Sequence, residues 1–513
     1  MRAVRARRRP VATSPPPLHG SLLGSAVLAL SAAGAGAAVN FALVVVVGRS
    51  YGPADTGLFF AVIGVVLVLA NLLKLGADTG LTRFASRARA TGREADLPTL
   101  ATAALLPVLG VGALAALALA ALGGGIGELL DGRHAATAAA LLRQVAPVLP
   151  LLALTTVLTA GTRGLGRVGA FALVQNVVLP GTRLVGVAAA AALGLGVAGA
   201  ITGWAAGLPL VALLAAVLFA ATLRRVLRAA PARRPATGRA ALWREFWAFS
   251  LPRAAAALVE IVLEWLDVLL VAVLAGERAA GLYAVATRLV KVSLLVDNAL
   301  RVSISTRISA WLATGRIEAV QRLYEAATAA MIALVWPALL VLAVFAEVAV
   351  GLFGADFAAA APVLRVMCLG VAAFAAAGSL QSILLLGGGS ARQLLNKSAA
   401  LATCVGANLL LTPHWGALGA ALAWLLTVLV DTVLVAWAVR RRMGIAVSLR
   451  PVVAMGPLVI GCVGTAALAA RWLLGPTLGG LTVALVVGLG SLLLALRGGD
   501  RLELITRRLR DTT

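Results

Sequence analysis

Residues 259–276 read VEIVLEWLDVLLVAVLAG, an apolar stretch carrying Glu260, Glu264 and Asp267. A carboxylate near a bilayer centre costs about 2.5–3.5 kcal/mol even on the lenient insertion scale, so three in one membrane helix need a reason. At 100° per residue, Arg253, Glu260, Glu264 and Asp267 fall within about 60° of one another. One polar stripe of this kind faces protein or water rather than lipid. The next apolar segment carries Arg288, Lys291 and Arg301. If the two segments fold back near Glu277, Asp267 lies level with Arg288, Glu264 with Lys291, and Arg253 with Arg301. The first two alignments are candidate intramembrane ion pairs, which would neutralise four charges without further function. Glu260 has no opposite number at its depth, and desolvation would favour its protonated form, so it is the candidate for proton or cation coupling. Arg253 and Arg301 would sit together as like charges that an anion could bridge, and Arg183 and Arg365 add two more intramembrane cations; each of these arginines alone more often snorkels or pairs than contacts a ligand.

These residues must be positioned by membrane helices. The chain has 513 residues, 61% hydrophobic and 12% charged, with apolar runs of about 20 residues or more from end to end. A barrel would show short alternating segments instead. The fold class is therefore an all-α polytopic membrane protein with about 14 transmembrane helices. The net charge of +24 is carried largely by short segments between apolar runs, where it acts as a topology signal rather than a nucleic-acid footprint. Placing the N-terminus in the cytoplasm puts almost every Arg/Lys cluster inside, and both termini with them. The basic, Pro-rich start reads as a disordered cytoplasmic tail.

The sequence also repeats. GPADTGLFF from 52 echoes GERAAGLYA from 276, and GVAGAITGW from 196 echoes GALGAALAW from 416. Offsets of 224 and 220 residues each span six helices, which predicts two parallel six-helix lobes around a shared site. The resulting division is a tail at 1–20, an N-lobe at 21–223, a basic cytoplasmic linker at 224–245, a C-lobe at 246–440, two further spans within 451–497, and a second tail at 498–513. Other polar residues inside apolar segments are Asn40, Asn71, Lys74, Asp78, Gln175, Asn176, Gln381, Asn408 and Asp431. Lys74 and Asp78, spaced i,i+4, are expected to pair. The Asn and Gln residues are expected to make interhelical hydrogen bonds.

Catalytic signatures are missing. There is no GxxxxGK[ST] phosphate loop, no HExxH, and no Ser/His/Asp or Cys/His constellation. Three scattered histidines and three cysteines inside apolar runs predict no metal site and no disulfide. The expectation is a carrier, not an enzyme, and one without a cofactor.

The ordered series SYGPADTGLFFAV, LGADTGLTRFAS, FSLPRAAAAL, GLYAVATRLVK and LTPHWGALGAALAW resembles the Wzx-like polysaccharide flippases of the multidrug/oligosaccharidyl-lipid/polysaccharide (MOP) exporter superfamily. The resemblance covers roughly residues 20–440. It implies two lobes around a central cavity, alternating access, and outward transfer of a polyprenyl-diphosphate-linked glycan across the cell membrane. Its implied partners are that glycan, the membrane lipids, and a glycan polymerase or ligase, with no nucleic acid. The arginine-rich start of the first helix seen in lipid II flippases has no counterpart here. Two other readings stand beside it: an ion-coupled exporter of cationic drugs, whose substrate the carboxylate stripe would bind, and a non-transporting scaffold for glycan synthesis.

Overall fold

The structure, a computed structural model, describes residues 21–130, 135–230, 238–291, 308, 311–312, 315–386 and 390–498. No strand occurs among the described residues. A bilayer core offers no water to backbone N–H and C=O groups, and helices satisfy them internally. The chain runs through α1 (Ser21–Leu73), α2 (Ala77–Ala90), α3 (Leu97–Leu130), α4 (Ala135–Val145), α5 (Val148–Gly164), α6 (Val168–Leu173), a π-turn (Val174–Val178), α7 (Leu179–Ala192), α8 (Val197–Ala206) and α9 (Leu208–Ala229). The second half holds α10 (Arg239–Lys291), α11 (Ile317–Val344), α12 (Ala346–Gly351), α13 (Ala361–Ala377), α14 (Leu380–Leu386), α15 (Ser390–Met443), α16 (Arg450–Val459), α17 (Thr465–Leu474) and α18 (Leu478–Gly498). Helices therefore enter the expected 224–245 linker from both ends.

Ten helices among the described residues are long and apolar enough to cross a membrane, or eleven with the bent pair α4–α5. Three of the long helices are each two stretches joined at a glycine: α1 at Gly52, α10 at Gly276 and α15 at Gly416. Counting fourteen spans requires treating each stretch as a separate crossing, which is the sequence expectation. Apolar side chains such as Leu117, Leu210 and Val486 are largely exposed, as a lipid-facing surface demands.

Two of these joints belong to the repeated motif. Gly52 (φ 70°, ψ 178°) and Gly276 (φ 82°, ψ 173°), 224 positions apart, share one conformation that residues with a Cβ disfavour. Pro53 follows Gly52 at the first position of the next stretch, where a missing N–H is harmless. Five residues beyond each joint, Gly57 and Gly281 press backbone to backbone. A Cβ on Gly57 would sit 1.8 Å from the Glu277 carbonyl oxygen, and one on Gly281 1.9 Å from that of Pro53. Helices of this kind associate through small residues because lipid supplies no hydrophobic drive between them. The contact between α1 and α10 is the most extensive between helices of the described chain. Beside it, α7 packs on α1 and α8, while α13 and α15 pack on α10. The α17–α18 hairpin and α16 lie against α11.

Candidate functional site

Past the Gly57–Gly281 crossing, α1, α7, α8 and α10 enclose a cavity of about 370 Å³. Apolar side chains of α1, from Phe41 to Leu67, form much of its wall, with Asn40 among them. Three cations line it: Arg183 from α7, and Arg288 and Lys291 from the end of α10. No carboxylate lines it among the described residues. The guanidinium of Arg183 lies over the Trp204 ring of α8, 4.1 Å from its centroid. That of Arg288 lies 4.8 Å from the Trp265 centroid and 5.4 Å from that of Phe60. Stacking on a ring face attracts a guanidinium by about 0.5–2 kcal/mol and helps to hold it in place. The outcome is an aromatic-walled chamber with cations supplied from two sides.

The local structure explains how each group reaches the chamber. Arg183 sits on the second turn after the π-turn, on a helix that packs closely along α8, which carries Trp204. Trp265 and Arg288 belong to the two stretches of α10 that meet at Gly276. Phe60 lies three residues beyond the Gly57 crossing, on the part of α1 pressed against α10.

The sequence candidates distribute unevenly. Arg183 is in the cavity wall. Arg288 and Lys291, expected in ion pairs with Asp267 and Glu264, line the cavity as well. Asp267 is buried, and its Oδ2 accepts a hydrogen bond from the Tyr283 hydroxyl at 3.1 Å. Arg253 is half-buried on α10 and is not among the cavity's lining residues. Arg301 and the side chains of Glu260 and Glu264 lie outside the described residues.

Arg365, expected as an anion receptor, is not brought to the cavity. Its guanidinium bonds to Glu347 and to the Ala343 carbonyl oxygen beside the end of α11. Glu347 also accepts from Arg471 of α17 at 2.8 Å. Glu347 lies outside the spanning helices, and the Arg471 hydrogen bond, helped by Arg365, holds its carboxyl down at about 2. This network ties α12, α13 and α17 together at one end of the molecule.

Lys74 and Asp78 pair at 3.0 Å as expected. The amides divide. Gln175 donates to Thr159 across helices, as expected, and so does Gln381 to Asp431. Asn40, Asn71 and Asn408 instead donate to the carbonyl four residues back in their own helices. The sequence reading missed the aromatic side of the chamber, although Trp204 stands in the repeated motif and Trp265 in the carboxylate-bearing stretch. It also missed that Lys397 reaches Asp431, at 2.7 Å, alongside Gln381.

Comparison with known proteins fixes the lineage. The sequence pattern of the family "Polysaccharide biosynthesis protein" matches residues 22–302, more than half of the chain. The chain belongs to that family. No curated protein matches it. Among solved structures, the lipid II flippase MurJ in an inward closed conformation superimposes with a TM-score of 0.68 at 13% identity, covering 93% of this chain and 100% of its own. An inward-facing multidrug resistance MATE family transporter of the MOP superfamily gives 0.62 at 17% identity, covering 79% and 94%. A MOP superfamily transporter from Pyrococcus furiosus Vc1, described as having a binding pocket of reverse polarity, gives 0.55 at 18%, covering 82% and 95%. At these identities the likeness establishes the fold alone: the chain has the fold shared by these flippase and transporter structures.

Proposed function

We propose that the protein flips a polyprenyl-diphosphate-linked oligosaccharide from the cytoplasmic to the outer leaflet of the cell membrane by alternating access, for cell-surface polysaccharide synthesis. The observation that carries this reading is the chamber lined by Arg183, Arg288 and Lys291, with aromatic faces beneath two of the three cations. Guanidinium and ammonium groups in a low-dielectric cavity suit a diphosphate, to which Arg can donate in bidentate fashion. Three cations in the lining suit an anionic substrate better than a cationic drug, which supports the flippase reading over the exporter. The Gly57–Gly281 crossing then marks the outer side, and both termini lie in the cytoplasm. An inside-negative potential favours outward movement of the anionic headgroup by about 2.3 kcal/mol per charge per 100 mV. Glu260 is the proposed group for proton or cation coupling, and a glycan polymerase or ligase is the proposed downstream partner.

The test is deletion of the gene followed by mass spectrometry of extracted membrane lipids. Accumulation of a finished polyprenyl-diphosphate glycan is expected, and it would name the glycan. An unchanged lipid profile with intact surface polysaccharide, in a strain without a second copy, overturns the reading.

A further inference from the structure

At the far end of the second half, two cations converge on one exposed ring. Arg392, at the start of α15, places its guanidinium carbon 4.7 Å from the centroid of Trp437. Arg441, near the end of the same helix after its turn at Gly416, lies at the same 4.7 Å. Neither arginine has a carboxylate partner among the described residues. Two like charges gathered on one indole repel each other, and the arrangement is stabilised by an anion between or beside them.

The surroundings say what carries that anion. Trp437 is 43% exposed, Leu395, one turn from Arg392, is 61% exposed, and Val433, one turn from Trp437, is 64% exposed. The cations therefore stand at the edge of a lipid-facing apolar surface, with the amphipathic indole where such rings favour the membrane–water boundary. Arg440 and Arg442 continue the basic rim beyond them. A ligand with a phosphate at the rim and acyl chains along Leu395 and Val433 satisfies both features, whereas a free anion uses only the first.

We propose that Arg392, Trp437 and Arg441 form a headgroup site for an anionic phospholipid on the outer surface of α15. It is separate from the cation-lined cavity and holds whatever the transported substrate is. The experiment titrates the purified full-length protein in neutral detergent with phosphatidylglycerol and follows its melting temperature. Phosphatidylcholine, inorganic phosphate and polyprenyl phosphate serve as comparison ligands. Phosphatidylglycerol is expected to raise the melting temperature saturably. Each of Arg392→Gln and Arg441→Gln is expected to raise the midpoint about fivefold, and the pair about 30-fold. Arg225→Gln, on α9 in the other half of the chain, is the control and leaves it unchanged. The single variants keep the test open if the double variant fails to fold. An unchanged midpoint in both single variants overturns the site. So does an equal effect of phosphatidylcholine. Inorganic phosphate acting as well as the lipid would make it a free-anion site, and polyprenyl phosphate acting at much lower concentration would make it a substrate site. Either result overturns the phospholipid proposal.

Discussion

Replacing Arg183 by Gln removes one of the three cavity cations while keeping the size of the side chain and some hydrogen bonding. A roughly spherical space of about 370 Å³ is about 9 Å across, so a bound diphosphate lies within about 6 Å of a guanidinium in its wall. Two unit charges at that separation interact by about 2.8 kcal/mol at an effective dielectric constant near 20. Desolvation and competing hydrogen bonds reduce this, and hydrogen bonds to charged groups measured by substitution fall at about 1.5–3 kcal/mol. Taking about 2 kcal/mol, Arg183→Gln should weaken substrate binding about 30-fold. Arg183→Lys keeps the charge but loses the planar stack on Trp204, and should lie between the two. The assay is glycosidase- or lectin-accessible transfer of a polyprenyl-diphosphate oligosaccharide in proteoliposomes, across a range of substrate concentrations. Melting temperature is measured in parallel to separate folding from binding. An Arg183→Gln variant that folds, inserts and transports with an unchanged half-saturation concentration would refute the assignment of the cavity to the anionic headgroup.

Other perturbations test the frame around the cavity. Gly57→Ala or Gly281→Ala drives a Cβ to within 2 Å of a backbone oxygen, so each should destabilise the protein by about 1–3 kcal/mol, seen as a lower melting temperature, and a wild-type melting curve would contradict the close crossing. Removing one partner of Lys397–Asp431, as in Lys397→Met, leaves a largely buried carboxylate and should cost about 3–5 kcal/mol, while the double variant Lys397→Met with Asp431→Leu should recover most of it; additive losses would show that the two groups do not act as a pair. Glu347→Gln tests pH linkage. The folded-state carboxyl is held at about 2, below its ordinary value, so its stabilisation is complete above about pH 4.5 and is lost as pH falls toward 2. Both arginine partners and the glutamate are about one-third or more exposed, so screening limits the effect to about 1 kcal/mol, and the melting-temperature gap to wild type should close between pH 5 and pH 2.5.

Local patterns were legible and distant geometry was not. Lys74 and Asp78 could be paired from spacing alone because a helix fixes residues four apart on one face. The repeat led to Gly52 and Gly276, since a shared motif demands a shared backbone conformation, and it brought Gly57 and Gly281 into view at the same offset. The partner of Arg365 could not be named from the sequence, because Glu347 is reached through a turn and a short helix rather than along one helix face. Arg183 was recognised as an intramembrane cation, but the ring that holds it lies on the next helix, and no periodicity relates 183 to 204. The asparagines illustrate a competition: an amide on a membrane helix finds its own i−4 carbonyl without ordering a second helix, and at Asn40, Asn71 and Asn408 that nearer acceptor wins.

The arrangement of charge carries a consequence for motion. Arg183 belongs to the first half of the chain, while Arg288 and Lys291 belong to the second, and each half also contributes rings to the same chamber. On the proposed function, the two halves present these cations to a common space, with two of them held over rings on Trp204, Trp265 and Phe60. The proposed diphosphate, on entering the space, would attract cations on both sides and draw them together. Differential affinity of this kind is what allows a ligand to shift a conformational equilibrium. A carrier with all its cations on one side would bind the same anion without pulling the halves toward each other. On the proposed function, the division of charge between α7 and α10 would couple binding to closure, and variants that move Arg183 out of the wall should lose that coupling even where a residual site still binds.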